Sequence, residues 1–384
     1  MPLPLYLLAL AVFAMGTSEF MLAGLLPGLA ADLGVTVGTA GGLTSAFAVG
    51  MAVGAPLMAA LARNRPGRGS LLGFVLAFAA AHAVGALTAS FPVLLATRVV
   101  AALANAGFLA VALSTAAALV PADRKGRALA VLLSGTTVAT VAGVPGGAVL
   151  GALFGWRAAF WAVALLCLPA AAGIAKYLPP LVTSDERCDA LAPALRSELA
   201  ELGRPRLLRA MLLAALVNAA TFGGFTFLSP VVTGRAGLGE LWVPVALVLF
   251  GAGSFAGVTV AGRLADRRPG LVLAVGGPLL LVGWPALAVL AGRPGALFPL
   301  VFLLGALSFA VGGTLITRVL YEAAGAPALA GAYATAALNL GATTGPLLAA
   351  AALGTAAGAL GPFYAGGLLL AAALAVAAVR PRVG

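Results

Sequence analysis

One acidic side chain lies deep inside an apolar segment near the start of the chain. Glu19 follows Thr17 and Ser18 within the mostly apolar run 4–30. A charge at the centre of a bilayer costs at least ~2.5–3.5 kcal/mol on insertion scales, and a carboxyl group avoids that cost by binding a proton. Glu19 is therefore a candidate for loading and releasing a proton. The alternative is a structural carboxyl kept neutral by a hydrogen bond to Thr17, Ser18 or a neighbouring helix.

Arg98 is the basic side chain placed within an apolar segment, about seven residues into the run 92–119. At 1.5 Å per residue it lies roughly 10 Å from the helix end. A buried arginine stays charged and needs carbonyls, amide oxygens or a carboxylate as partners. The position indicates a relay partner of Glu19 or a gating residue, and an arginine extending to the outer interface is the alternative. The lone His82 is interpreted as structural.

Glycine and proline cluster in the apolar run 128–152, at Gly143, Pro145, Gly146 and Gly147. Glycine lets helices approach closely, and proline removes a backbone hydrogen bond and bends the helix. The cluster predicts a bend at a helix contact that a conformational change would use. Ordinary packing of membrane helices is the alternative.

Polar amides and aromatic rings in the second half of the chain predict a ligand cavity. Asn218 and Asn339 lie near the middle of their apolar segments, and a buried amide must be paired. An aromatic lining suits a small, weakly polar ligand. Hydrogen bonding between helices and contact with lipid are the alternatives. The other candidates for the cavity are Thr221, Phe222, Phe225, Phe227, Phe309, Thr343, Trp161 and, more weakly, Asn105.

The composition indicates which elements position these residues. Of the 384 residues, 62% are apolar and 9% are charged, against about 25% charged in a typical soluble domain. So few charges cannot cover the surface of a water-soluble fold. The net charge of +11 is divided among the breaks between apolar runs, which does not suggest a nucleic-acid partner. The chain is predicted to be an all-α integral membrane protein, and its cysteines suggest neither a metal site nor a disulfide framework.

A membrane-spanning helix needs about 20 apolar residues. The twelve predicted spans are roughly 4–30, 37–62, 70–89, 92–119, 128–152, 157–178, 208–233, 241–262, 270–291, 296–318, 329–352 and 357–379. The last two share a stretch without charges and are separated at Gly354, Gly358, Gly361 and Pro362. The first run lacks a basic start, which favours a span over a cleaved signal peptide.

Basic residues predict the orientation. With the N-terminus inside, eighteen Lys and Arg residues fall in inner loops and the tail, and three fall outside, at Arg157, Arg235 and Arg293. This bias predicts a multi-pass protein of the bacterial inner membrane with both termini in the cytoplasm.

A polar segment at 179–207 divides the chain into two predicted halves, 1–178 and 208–384. Its leucines share one helical face, which predicts an amphipathic helix along the inner membrane surface. The halves repeat weakly, because Pro145 and Pro346 lie 201 residues apart and the turns after spans two and eight lie 203 apart. Two parallel repeats of six helices are typical of the major facilitator fold, with a substrate site between them.

A turn on the predicted inner face contains Gly262, Asp266 and Arg267. Asp266 can accept hydrogen bonds from helix-terminal amides, and the arginines can pair across the halves to close the inner side. Arg68 belongs to the corresponding turn after the second span. The alternative is that these arginines only hold the loops inside.

These motifs together resemble the drug:proton antiporter-1 branch of the major facilitator superfamily. The matching segments are 16–20 and 24–27 on the first span, Arg98 on the fourth, 143–147 as the antiporter motif, 155–157 with Phe160, and the 262–266 turn. The turn after the second span departs from the pattern, with Arg63 in place of Asp and Pro66 interrupting it. Runs 101–113 and 132–139 are similar to the Cmx and CmrA group of chloramphenicol efflux transporters.

The resemblance implies a proton-coupled antiporter that exports a small hydrophobic drug, chloramphenicol by similarity, by alternating access. We expect a monomer in the lipid bilayer that uses the proton gradient and no cofactor. Sister groups export sugars or purine nucleosides, and a proton-coupled uptake symporter is a further alternative. The sequence contains no paired nucleophile and base, metal cluster or phosphate loop, so an enzyme is not expected.

Overall fold

A computed structural model describes residues 2–62, 67–121, 125–178, 200–265, 269–326 and 329–378. The chain forms two compact units, 1–185 and 186–384. Within the described residues the units consist of helices and turns, without strands. This confirms the predicted all-α class.

The described residues of the first unit form eight helices. They are α1 (Leu3–Phe20), α2 (Leu22–Leu33), α3 (Val37–Ala62), α4 (Gly67–Leu87), α5 (Phe91–Ala118), α6 (Lys125–Val138), α7 (Val144–Phe154) and α8 (Trp156–Tyr177). A π-turn, Ala139–Gly143, joins α6 to α7. At the other helix ends, the Thr36 hydroxyl accepts the Thr39 N–H at 3.0 Å and caps α3. Gly34 closes α2 in the left-handed conformation, with φ of 63°.

From residue 200 onward, the described part of the second unit contains a short 3₁₀ turn, Glu201–Gly203, and seven helices. They are α9 (Pro205–Thr226), α10 (Leu228–Pro230), α11 (Trp242–Ala265), α12 (Pro269–Leu290), α13 (Pro294–Glu322), α14 (Ala330–Leu353) and α15 (Gly361–Ala378). Three of them begin at a proline, whose fixed φ and missing N–H suit the first helical position.

Twelve helical segments among the described residues are long and apolar enough to cross a membrane, which confirms the predicted number. α6, the π-turn and α7 together form the fifth span. The predicted separation of the last two spans is also confirmed, because α14 ends at Leu353 and α15 begins at Gly361.

Most helix ends differ from the predicted bounds by a few residues, and two differences change the interpretation. The first span is not one helix over 4–30, because α1 ends at Phe20 and α2 begins after Met21. Gly262 is not in a turn, because α11 continues to Ala265. Asp266, Arg267 and most of the predicted amphipathic segment lie outside the described residues.

Small residues bring the first and fifth spans of the first unit into close contact. A methyl group at Gly135 would overlap the backbone of α1 at Ala9 and Phe13, and one at Gly143 would overlap the side chain of Thr17. Such small residues let two backbones approach where lipid gives helices no hydrophobic reason to associate. Gly146 differs, because a Cβ there meets nothing within 4 Å. The close packing predicted for this motif is therefore wrong at Gly146.

The second unit repeats this contact between α9 and α14. A methyl group at Gly341 would overlap the carbonyl of Ala215, and one at Gly345 would overlap the carbonyl of Ala219. The Asn218 amide donates to the Leu338 carbonyl at 2.7 Å across the same contact. The seventh and eleventh spans therefore pack as the first and fifth do.

We expect Gly143→Ala to lower the free energy of unfolding by about 1–3 kcal/mol, the usual cost of overpacking a tight contact. Gly146→Ala is the matched control, since it adds the same methyl group to the same motif in open space. Denaturation of the purified variants in detergent measures both. Equal stability of the two would contradict the assigned contact with Thr17.

Candidate functional site

The interruption of the first span lies beside Glu19. α1 ends at Phe20, and the N–H of the turn residue Met21 donates to the Thr17 carbonyl at 2.9 Å. The last four carbonyls of a helix have no partner in the next turn of that helix. The break therefore leaves backbone acceptors, including that of Ser18, inside the unit rather than at its end.

Arg98 in α5 binds one of these acceptors. Its Nη2 donates to the Ser18 carbonyl at 3.0 Å and its Nη1 donates to the Ser18 hydroxyl at 2.7 Å. The guanidinium carbon lies 4.4 Å from the centroid of the Phe47 ring, a cation–π contact. Arg98 is 1% exposed, so it does not extend to an interface. The positive group also lies at the C-terminal end of α1, where the helix dipole favours it.

His82 in α4 completes this group. Its Nδ1 lies 2.8 Å from the Phe78 carbonyl and its Nε2 lies 2.6 Å from the Ser18 hydroxyl. A carbonyl only accepts, so Nδ1 carries the proton and Nε2 accepts from Ser18. Ser18 thus donates to His82 while it accepts from Arg98. We call Ser18, His82 and Arg98 the buried polar triad.

Glu19 lies next to this triad without joining it. Its side chain is half-buried, and none of the described hydrogen bonds reaches its carboxyl group. The positive charge of Arg98 acts on the carboxyl electrostatically. The Thr17 hydroxyl donates to the Phe13 carbonyl at 2.8 Å, and the Ser18 hydroxyl belongs to the triad. Neither of them is the hydrogen-bond partner that the structural alternative required.

The π-turn faces this part of α1. The Val144 N–H donates to the Ala139 carbonyl, one residue further back than in an α-helix. Pro145, which is buried, follows directly and has no N–H to donate. Single π-turns occur often at functional sites. The α-helix of the fifth span is therefore interrupted at the predicted motif, where Gly143 lies against Thr17.

A second polar cluster joins the start of α8 to the end of α2 and to the residue that follows α4. Trp156 Nε1 donates to the Asp32 carboxylate at 3.0 Å, Arg157 forms an ion pair with the same carboxylate, and Arg157 Nη2 donates to the Thr88 carbonyl at 3.1 Å. The indole N–H and the guanidinium hold the pKa of Asp32 below its usual value. The segment 155–157 thus ties α8 to the end of α2.

The predicted cavity residues of the second unit differ in their hydrogen-bond and packing partners. The amide of Asn218 bonds across to α14, so the interhelical alternative holds for its Nδ2. Asn339 and Thr221 donate within their own helices, to Thr335 and Val217. Phe225 packs on Phe250, with ring centroids 4.8 Å apart.

The remaining candidates have different surroundings. Phe222 is half-buried, Phe227 is completely buried and Trp161 is 39% exposed. Asn105 is buried in α5. Arg68 donates to the Ala175 carbonyl and so ties α4 to α8. Among the described residues, no three His, Cys, Asp or Glu side chains come together as a metal site requires.

Sequence reasoning missed the roles of Ser18, His82 and Phe47. The sequence suggests Ser18 only as a partner of Glu19, and His82 only as a lone structural residue. The signal that could have joined them is that Ser18 and His82 are polar residues within apolar spans, and that the buried Arg98 of another span needs acceptors. No sequence signal marks Phe47.

Comparison with known proteins identifies the family of this chain. The Major Facilitator Superfamily profile matches residues 8–336. The "Chloramphenicol resistance protein" of Streptomyces lividans is 75% identical over 380 residues, which are 98% of this chain and 96% of that protein. The inner membrane transport protein YdhP of Escherichia coli is 34% identical over 88% of this chain and 85% of that protein.

Solved structures share the fold at low identity. A bacterial homologue of the human lysosomal transporter Spinster, in an inward-facing occupied conformation, has a TM-score of 0.76 and 18% identity. The match covers 97% of this chain and 94% of the homologue. The peptide transporter POT has a TM-score of 0.76 and 16% identity, and the match covers 100% of this chain and 95% of that transporter. With twelve candidate spans, repeated packing and a profile that matches most of its length, the chain belongs to the Major Facilitator Superfamily.

Proposed function

We propose that this chain is a monomeric proton-coupled antiporter that exports a small hydrophobic drug of the phenicol class by alternating access. The observation that carries the proposal is Glu19, a half-buried carboxyl at the interruption of the first span, under the charge of the buried Arg98. The 75% identity to the chloramphenicol resistance protein supports the drug class.

Glu19 is the proposed proton carrier. It releases a proton when it is open to the cytoplasm and takes one up when it is open to the outside, and protonation weakens drug binding directly or through Arg98. Exchange of one neutral drug for one proton moves one charge inward. At a membrane potential of 100 mV this adds about 2.3 kcal/mol to the driving force of the pH gradient.

The direction of export depends on the orientation. The excess of Lys and Arg in predicted inner loops supports a bacterial inner membrane protein with both termini in the cytoplasm. The half-buried Phe222 and Phe225, with the Oδ1 atoms of Asn218 and Asn339, are the proposed drug contacts in the second unit. The proton gradient is the proposed energy source, with no cofactor.

Expression of the chain in a sensitive host should raise phenicol tolerance and lower accumulation of the drug. A protonophore should abolish the difference, because export then has no driving force. Accumulation of labelled chloramphenicol, compared with an empty vector, measures this. Unchanged accumulation with well-expressed protein would contradict the drug assignment, and labelled sugars and purine nucleosides are then the next substrates to test.

Glu19→Gln should remove uphill export driven by pH in everted vesicles, because glutamine keeps the shape but does not titrate. Glu19→Asp should keep part of it. The matched control is Glu240→Gln, which changes an exposed acid outside the candidate spans in the same way. Full proton-driven transport by Glu19→Gln would refute the role of Glu19.

Ser18→Ala should destabilise the protein by about 1.5–3 kcal/mol, since Arg98 loses a buried hydrogen bond to its charged group. It should also shift the pH dependence of export, because Arg98 is then less well held beside Glu19. Ser134→Ala is the control, since that exposed hydroxyl donates only to Val131 of its own helix. An unaltered pH profile with Ser18→Ala would leave the triad a structural role only.

A further inference from the structure

An apolar cavity of about 250 Å³ lies at one end of the second unit. Residues of α9, α12, α13 and α15 line it, and all of these except Arg318 are Leu, Val, Ala, Gly or Pro. Sites for drug-sized ligands measure about 300–1,000 Å³ and contain several converging polar groups. This cavity is smaller, and its lining has one polar side chain. It therefore suits a hydrocarbon chain better than a drug.

One arginine lines this cavity, and a second contacts its wall. Arg318, near the end of α13, is exposed and makes no hydrogen bond or ion pair with any described residue. Arg209, near the start of α9, donates from Nη2 to the carbonyl of Ala377, which lines the cavity, at 2.6 Å. The Arg209 Nε is buried and has no partner among the described residues. Arg318 thus keeps its N–H donors for an anion, and the Nη groups of Arg209 keep those that Ala377 does not use.

We propose that this cavity binds an anionic phospholipid of the surrounding bilayer. One acyl chain lies along the apolar wall formed by residues such as Ala274 and Leu374, and the lipid phosphate accepts hydrogen bonds from Arg318 and Arg209. A guanidinium group matches the geometry of a phosphate with paired donors. Basic pockets between membrane helices bind anionic head groups in this way.

The position of the cavity fits the proposed orientation. The starts of α9 and α12 and the ends of α13 and α15 meet here, and the exposed Arg204 and Arg206 lie at the same end. The proposed topology places this end at the cytoplasmic leaflet, whose anionic lipids attract basic residues. The lipid site does not depend on which drug the protein exports.

The test uses the full chain in nanodiscs of phosphatidylcholine with increasing phosphatidylglycerol, and native mass spectrometry to count the lipids that remain bound. Arg318→Gln should weaken phosphatidylglycerol retention about fivefold, the contribution of one basic residue near an anionic surface. Arg204→Gln is the matched control, because it removes a charge at the same end that already pairs with Glu201 at 2.8 Å.

A second variant tests the acyl chain separately from the head group. Ala274 is exposed in the cavity wall, so Ala274→Phe fills the space without disturbing the core. It should reduce retention of long-chain phosphatidylglycerol and leave that of a short-chain analogue unchanged.

Four outcomes would overturn the proposal. Equal retention of phosphatidylcholine and phosphatidylglycerol would show that the arginines do not select the anionic head group. Equal losses from Arg318→Gln and Arg204→Gln would show only a general surface charge effect. Displacement of bound phosphatidylglycerol by chloramphenicol, or a dimer that forms through this face, would assign the cavity to drug or to a second copy of the chain.

Discussion

The first unit depends on the pairing of one buried charge. Arg98 stays ionised, and an unpaired charge in an apolar interior costs several kcal/mol. The protein supplies acceptors by ending α1 at Phe20, which leaves the Ser18 carbonyl and hydroxyl for the guanidinium. The helix break, the triad and the position of Glu19 follow from this one requirement. A continuous first helix would use that carbonyl for its own next turn.

The two units satisfy the same packing constraint with different residues. Gly50 contacts Ala102 between α3 and α5, and Gly253 meets the Phe302 carbonyl between α11 and α13, at positions 203 residues apart. Gly143 and Gly345 correspond at 202 residues. The polar groups do not repeat, because Thr17 faces Gly143 where Ala219 faces Gly345. The repeat therefore preserves the close approach of the paired helices, whereas the polar Thr17 contact is particular to the first unit.

The sequence predicts most of the fold, because lipid forces each apolar run of sufficient length to form a helix. Twelve spans and the separation before Gly361 follow from this rule. The break at Met21 does not follow from this rule, because the residue there is neither glycine nor proline. The carbonyl that the break frees is bound by Arg98 on α5, which is distant in sequence. The site has the same limit, because its contacts also join residues that are distant in sequence.

Glu19 and Arg98 stand out in the sequence because ionisable groups are rare in apolar runs. The contact of Ser18 with His82, 64 residues further along, depends on which faces of α1 and α4 meet. Hydropathy does not specify that choice, since both helices are apolar on all sides. Gly146 shows the converse, because it lies within a conspicuous motif and yet a Cβ added there would meet nothing within 4 Å.

The glycine contacts also have a genetic consequence. Glycine and alanine codons differ by a single base at the second position, so one nucleotide change converts either residue into the other. At Gly253, Gly257 and Gly305 the added methyl group would overlap the backbone of the facing helix. A single-base change that most positions of an alanine-rich helix tolerate should therefore destabilise the protein at these three glycines.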